Sequence, residues 1–218
     1  MSDRLTLYTY FRSSAAYRVR IALNLKGLKP DYRFVHLLKD GGQQHDDSYK
    51  ALNPQELVPT LVENGRAIAQ SLAIIEYIDE THPDPPLLPK DAQERAHVRQ
   101  IAYAIACDIH PVNNLRVLQY LKREFAASED QRTEWQKHWI ALGFCAIEAL
   151  LAQSPAAGVW CHGDAPTLAD ICLIPQMANA RRVNLDLSPY PTLLRIERTA
   201  LSHPAFAAAQ PKEQPDAE

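Results

Sequence analysis

The residues of this chain best placed to do chemistry sit where a small hydroxyl precedes an apolar, periodic run. The stretch "FRSSAAYRVRIAL", Phe11 to Leu23, sets Arg12, Ser13 and Ser14 ahead of helical spacing, and "QSLAIIEYI" sets Gln70 and Ser71 in the same relation to a second run. A serine at a helix start is ordinarily a cap, its oxygen accepting a backbone N–H of the first turn. The same physics serves a second purpose. A hydroxyl and free N–H groups at a positive helix end stabilise an anion, a thiolate or a carboxylate. Between these starts lie Val58-Pro59 and a loop bearing Gln43 and Gln44. A cis bond at Val58-Pro59 would turn the polar backbone of Val58 outward, to pair with an extended peptide as an added strand. The glutamine amides could reach a further carboxylate. Taken singly, cap, turn and solvated loop are the ordinary roles of these features.

The later part of the chain adds arginines and one polar stripe. Tyr103, Cys107, His110 and Asn114 are spaced four, three and four apart, which places them on one face of a long helix. Pro111 inside that pattern predicts a kink or loosening near Cys107. A lone histidine there is ordinarily structural. Arg181 and Arg182 differ by about 100° of helical rotation, so one of them at most points inward. Their planar guanidiniums match carboxylates, and solvated surface arginines are the plain alternative. Arg18 lies one turn beyond Ser14 and reads as an ion-pair partner, and Arg116 is a weaker candidate for substrate. "TLAD", Thr167 to Asp170, reads as a capping box with aspartate in place of glutamate. Trp135 and Trp139 read as packing.

These residues need a frame. "LTLYTY" and "DYRFVHL" read as strands around a helix over Ala15–Lys26, and "VPTLVENGRAIAQ" reads as a hairpin turned at Asn64-Gly65. "SLAIIEYIDETH" follows as a helix. Four prolines in "PDPPLLPKD" then break regular structure. Helical patterns return over about 91–123, 129–152, 168–184 and 191–201. The expected organisation is an α/β domain over 1–82, a proline-rich linker over 83–90, an all-α domain over 91–210 and a frayed tail over 211–218.

Composition removes several functional classes. A formal net charge of −3 lacks the basic excess of nucleic-acid binders. The four cysteines form no C-x-x-C pair, which weakens zinc and redox-motif readings, and no metal is expected. The beginning of the chain lacks the apolar core of a signal peptide, and no apolar stretch approaches the roughly 18 residues of a spanning helix. The expected location is cytoplasmic, with no membrane partner.

In order and spacing, "FRSSAAYRVRIAL", "LLKDGGQQ", "ALNPQELVPTLVENG" and "QSLAIIEYI" resemble the zeta class of glutathione transferases, the family of maleylacetoacetate and maleylpyruvate isomerases. The resemblance continues through "ACDIHPVNN", "GDAPTLADICLIPQMANARR" and "DLSPYPTL", covering nearly the whole chain. It implies a thioredoxin-like N-terminal domain, an all-α C-terminal domain, a homodimer and bound glutathione as cofactor. By position it assigns the glycyl end of glutathione to Gln44, the cysteinyl backbone to Val58 and the γ-glutamyl carboxylate to Gln70 and Ser71. Ser14, with Ser13 beside it, falls next to the sulfur. Arg12 and Arg182 fall to the carboxylates of a small dicarboxylate substrate, and His110 and Asn114 to glutathione or substrate.

The chain departs from the family pattern at Ala15, where the zeta motif often carries cysteine. Alanine offers neither nucleophile nor hydrogen bond, so the resemblance implies a borrowed thiol activated by the serines and the helix end. The implied reaction is cis–trans isomerisation of a maleyl compound by reversible thiolate addition. Net conjugation or dehalogenation of small electrophilic acids is the alternative from the same site, and a non-enzymatic glutathione-binding protein is a third.

Overall fold

The computed structural model describes residues 5–218. The chain divides into two compact units: one holds the residues up to Pro86 together with His203–Glu218, the other holds Leu87–Ser202.

The first unit is built on β1 (Thr6–Thr9), α1 (Ser14–Leu25), β2 (Asp31–Phe34), α2 (Asp47–Leu52), β3 (Thr60–Glu63), β4 (Arg66–Ala69) and α3 (Ser71–Thr81). The strands form one sheet in the order β2-β1-β3-β4. β1 and β2 run parallel through the α1 crossover, while β3 is antiparallel to both of its neighbours. This is the thioredoxin-like arrangement expected. The hairpin turns at Asn64 and Gly65, with φ of 50° and 76°. Two consecutive left-handed residues are what a two-residue type I′ turn demands, and Asn-Gly adopts them at least cost.

Leu7 and Leu61 face each other across β1 and β3, and both are fully buried. Val19, Ala22 and Leu23 of α1 and Ile74, Ile75 and Ile78 of α3 complete that core. Each large aliphatic side chain so buried contributes about 1.5–3 kcal/mol. That fixes α1 and α3 on the sheet and therefore fixes where their N-termini stand. α2 and the short 3-10 turns at Lys39–Gly41 and Gln43–His45 fall where only a polar loop was expected, because two turns of helix show no readable period.

The second unit is all helical: α4 (Ala92–Tyr103), a π-helical segment Ala104–Ile109, α5 (His110–Val112), α6 (Leu115–Phe125), α7 (Glu129–Ala152), α8 (Leu168–Arg182) and α9 (Pro191–Ser202). The helix expected over 91–123 is thus interrupted. Pro111 has no N–H for the carbonyl of Cys107, and the π-helical widening encloses that residue. Asn114 then caps a new helix, its side chain accepting the Arg116 N–H at 3.1 Å. Tyr103, Cys107, His110 and Asn114 therefore do not form the single stripe that their spacing predicts. Gly143 on α7 is where the π segment comes close: a Cβ there would meet the Ile109 side chain at 2.2 Å. The capping box of α8 is present, with Asp170 accepting from the Thr167 N–H at 2.8 Å and from the Cys161 N–H at 2.8 Å. Among the described residues no helix is long and apolar enough to cross a membrane.

Residues 203–218 depart most from expectation. Residues 203–210, expected in the all-α domain, form α10 (Pro204–Ala207) within the first unit, and residues 211–218, expected to fray, carry a 3-10 turn at Pro211–Glu213 and belong to the same unit. Phe206 is fully buried, and Asn24 donates to the Ala205 carbonyl at 2.9 Å. The polar, proline-bearing composition describes only the outer side of this segment.

Candidate active site

The two serine-bearing helix starts both belong to the first unit. Ser13 holds the N-cap position of α1, its oxygen accepting the Ala16 N–H at 3.2 Å. Ser14 is the first helical residue and 6% exposed. The ordinary capping role is thereby met by one serine, and the other stands at the positive end of the helix beyond it. Arg12 is exposed, with its guanidinium 5.1 Å from the centroid of the Phe11 ring.

At α3 the expected cap shifts by one residue. Gln70, not Ser71, is the N-cap, and its side chain makes no capping bond. Its Nε2 donates instead to Gln55 Oε1 at 2.7 Å. Its φ of 73° lies in the left-handed region, which costs a non-glycine residue on the order of 1 kcal/mol or more. Ser71 is the first helical residue and, like Ser14, 6% exposed. Its hydroxyl accepts from Arg18 Nη1 at 3.3 Å, across a separation of 53 residues. Arg18, buried on α1, thus connects the helix that begins with Ser14 to the one that begins with Ser71.

The Val58–Pro59 bond is cis. Val58 belongs to a buried cluster with Tyr10, Phe11, Val35 and Tyr49, so one small core anchors both this peptide and the turn before Ser13. Two residues without a reading in the sequence hold the approach to Val58. Tyr49 donates its hydroxyl to the Leu57 carbonyl at 2.6 Å, and Asn53 Nδ2 donates to the same oxygen at 2.8 Å. Burial raises the Tyr49 phenol above its ordinary value, which keeps it a donor. Tyr49 lies on α2, whose shortness hid it. In the neighbouring loop Gln43 Oε1 accepts the His36 N–H at 2.8 Å. Gln44 is buried, with Nε2 reaching the Leu37 carbonyl at 3.4 Å and Oε1 buried without a protein partner. With Nε2 committed to the Leu37 carbonyl, the orphaned oxygen is an acceptor that suits the N–H of a ligand peptide group. That buried atom and the serines heading α1 and α3 fit a glutathione-type peptide.

In the second unit the two neighbouring arginines separate cleanly. Arg181 is committed to Glu197 by a two-pronged ion pair, Nε to Oε1 at 2.9 Å and Nη2 to Oε2. Arg182 is exposed, with Nη2 on Asn179 Oδ1 at 3.2 Å. His110 is half-buried at the end of the π segment, and Asn114 caps α6. Trp135 ties this break to α7, its indole N–H donating to the Val112 carbonyl at 2.9 Å. Cys161 and Cys172 are buried, and burial raises the Cys161 thiol well above its ordinary value, so it is a poor nucleophile.

A family model for the glutathione S-transferase N-terminal domain matches residues 7–86, which spans the sheet, both serine-bearing helix starts and the Val58–Pro59 turn. Over its full length the chain is 50% identical across 213 residues to the probable maleylacetoacetate isomerase of Vibrio cholerae, covering 98% of each. Among solved structures it is similar to a holo maleyl pyruvate isomerase described as a bacterial glutathione S-transferase of the zeta class, with TM-score 0.95, 46% identity and coverage of 98% of this chain and 100% of that one. It is also similar to maleylacetoacetate isomerase from Anaeromyxobacter dehalogenans 2CP-1 with dicarboxyethyl glutathione and citrate bound in the active site, with TM-score 0.84, 40% identity and coverage of 100% and 96%. The chain belongs to the zeta class of glutathione transferases, the maleylacetoacetate and maleylpyruvate isomerase type.

Proposed function

We propose that the protein is a glutathione-dependent cis–trans isomerase that converts a maleyl compound, maleylacetoacetate or maleylpyruvate, to its fumaryl isomer. The observation that carries this reading is the pair of serine-headed helices, α1 and α3, joined through Arg18 and Ser71 in a chain that matches isomerases along its whole length. The dicarboxyethyl glutathione held by the Anaeromyxobacter relative has the composition that a thiol gives on adding across the double bond of a four-carbon diacid. Glutathione, when bound, supplies a thiolate that adds to the double bond, permits rotation about the single bond so formed, and leaves again unchanged.

The chain's own residues hold charge and position. The Ser14 hydroxyl and the first-turn N–H groups of α1 favour the deprotonated thiol. Ser71 and Gln70 hold the γ-glutamyl carboxylate at the positive end of α3, Val58 pairs with the cysteinyl backbone, and Gln44 meets the glycyl end. Arg12 and Arg182 offer guanidiniums to the carboxylates of the substrate and to charge that develops on it. Arg181, spent on Glu197, is not assigned to substrate. His110 and Asn114 are assigned contacts with glutathione or substrate. We further place the protein in the cytoplasm as a homodimer, a reading supported by its family.

Product analysis with limiting glutathione tests the function. The fumaryl product is expected to accumulate while free thiol stays constant, and stoichiometric loss of thiol would replace isomerisation with net transfer. In the same assay Arg182→Ala is expected to raise the KM for the maleyl substrate about tenfold, as loss of one charge-assisted contact implies, with glutathione binding unchanged. Arg181→Ala is expected to lower stability and leave that KM in place.

A further inference from the structure

We infer that residues 203–218 form a strap that fixes the turn ahead of Ser14, with Asp216 and Arg20 as positioning residues; this rests on the thiolate role proposed for that turn. The chain between the end of β1 and the start of α1 has lost its ladder partners, and buried backbone polar groups need others. Phe11 donates its N–H to Asp216 Oδ2 at 2.9 Å, from a residue 205 positions later. The Tyr10 and Phe11 carbonyls accept from Arg20 Nη1 at 3.4 Å and from Arg20 Nη2 at 3.1 Å. The Tyr10–Phe11 peptide is therefore held from two sides, by Asp216 and Arg20, and the Phe11–Arg12 peptide by Arg20.

Arg20 does not act alone. It is 1% exposed, and its Nε donates to the Ala209 carbonyl of the strap at 3.2 Å. Burial lowers its pKa to about 10, which leaves it charged at neutral pH. One guanidinium thus grips turn and strap together, and the Asp216 carboxylate closes the arrangement from the other side. The strap is anchored by Phe206, fully buried, and Ala209, 1% exposed. Farther along, Glu218 pairs with Lys39 and lies 3.4 Å from His36 Nε2. His36 in turn shapes the loop that carries Gln43 and Gln44, its N–H donating to Gln43 Oε1 at 2.8 Å. The segment therefore ties the turn before Ser14 to the loop bearing Gln44. The Phe11–Asp216 hydrogen bond thus governs how tightly the turn is held, through the position of an acceptor oxygen.

The test compares full-length wild type, Asp216→Ala and Asp216→Asn. Its readouts are amide exchange at Phe11–Ser14 without ligand, the pH titration of bound glutathione by thiolate absorbance, and kcat separately from KM. Asp216→Ala is expected to exchange the Phe11 amide about tenfold faster, to move the thiol titration up by about one pH unit and to lower kcat about tenfold. Asp216→Asn keeps an oxygen that accepts the same N–H and is expected to restore all three to wild-type values. Wild-type exchange and titration in Asp216→Ala would overturn the inference. Should Asp216→Ala fail to fold, Asp216→Asn decides: a raised thiol titration there overturns positioning through the hydrogen bond, and a wild-type titration supports it. If wild type binds no glutathione, the functional reading fails, while exchange at Phe11 still reports on the strap.

Discussion

At the start of α1, Ser13 caps the helix from extended backbone with φ −69°, whereas at the start of α3, Gln70 stands in the cap position with φ 73° and its side chain turned to Gln55. Both helices then open on a serine that is 6% exposed. The same residue at the same helical position is thus offered in two ways. In α1 the cap consumes the Ala16 N–H, and Ser14 follows as the first residue of a closed helix end. In α3 the Gln70 side chain consumes no first-turn donor, and strained backbone aims the helix start. A single sulfur needs only the first arrangement. A carboxylate, with two oxygens and several lone pairs, makes fuller use of the second.

The strongest way to break this comparison is to cut the link between the two starts. Arg18→Met removes the guanidinium that donates to Ser71, and its loss from a site 1% exposed is expected to lower stability by about 2–3 kcal/mol. Urea unfolding measures this, and an unchanged midpoint would remove Arg18 as the connecting element. Next come the two serines of α1, whose roles the comparison sets apart. Ser14→Ala is expected to raise the bound thiol pKa by about one unit, equivalent to about 1.4 kcal/mol, with little change in folding. Ser13→Ala is expected to cost about 1 kcal/mol of stability and to leave the titration in place. The opposite allocation would reverse the reading of that helix start. The smallest effect sharpens the picture of α3. Gln70→Gly relieves the left-handed backbone and is expected to add about 0.5–1 kcal/mol of stability, while weakening glutathione binding in a calorimetric titration. A loss of stability would mean that the Gln70 side chain, through Gln55, contributes more than its backbone costs.

Local physics made much of this legible before any coordinates. Asn64-Gly65 names its own turn type, the α1 and α3 patterns are strong, and Pro111 announced a loosening that the π segment realises around Cys107. The same signals fell short by one residue at Gln70, because which of two adjacent polar residues takes the cap depends on how the preceding strand delivers the chain. Contacts distant in sequence were invisible. Arg18 read as an ion-pair partner and Arg20 carried no reading, yet both are 1% exposed. Arg20 finds its acceptors in the turn before its own helix and in Ala209. Asp216 sits in a stretch whose prolines and charges argue for solvent, and nothing local signals that its partner is Phe11. Asn114 read as part of a stripe only because helical spacing was carried through a break that the proline had already signalled.

The indole of Trp135 has a further use. It donates to the Val112 carbonyl at 2.9 Å and meets Trp139 edge-on with centroids 5.7 Å apart. Val112 lies between His110 and Asn114, so the protein carries an optical gauge at that break. A ligand that shifts either residue alters the polarity around the indole and the colour of its emission. Binding at the contacts proposed for His110 and Asn114 is expected to shift this emission, above the signals of Trp139 and Trp160.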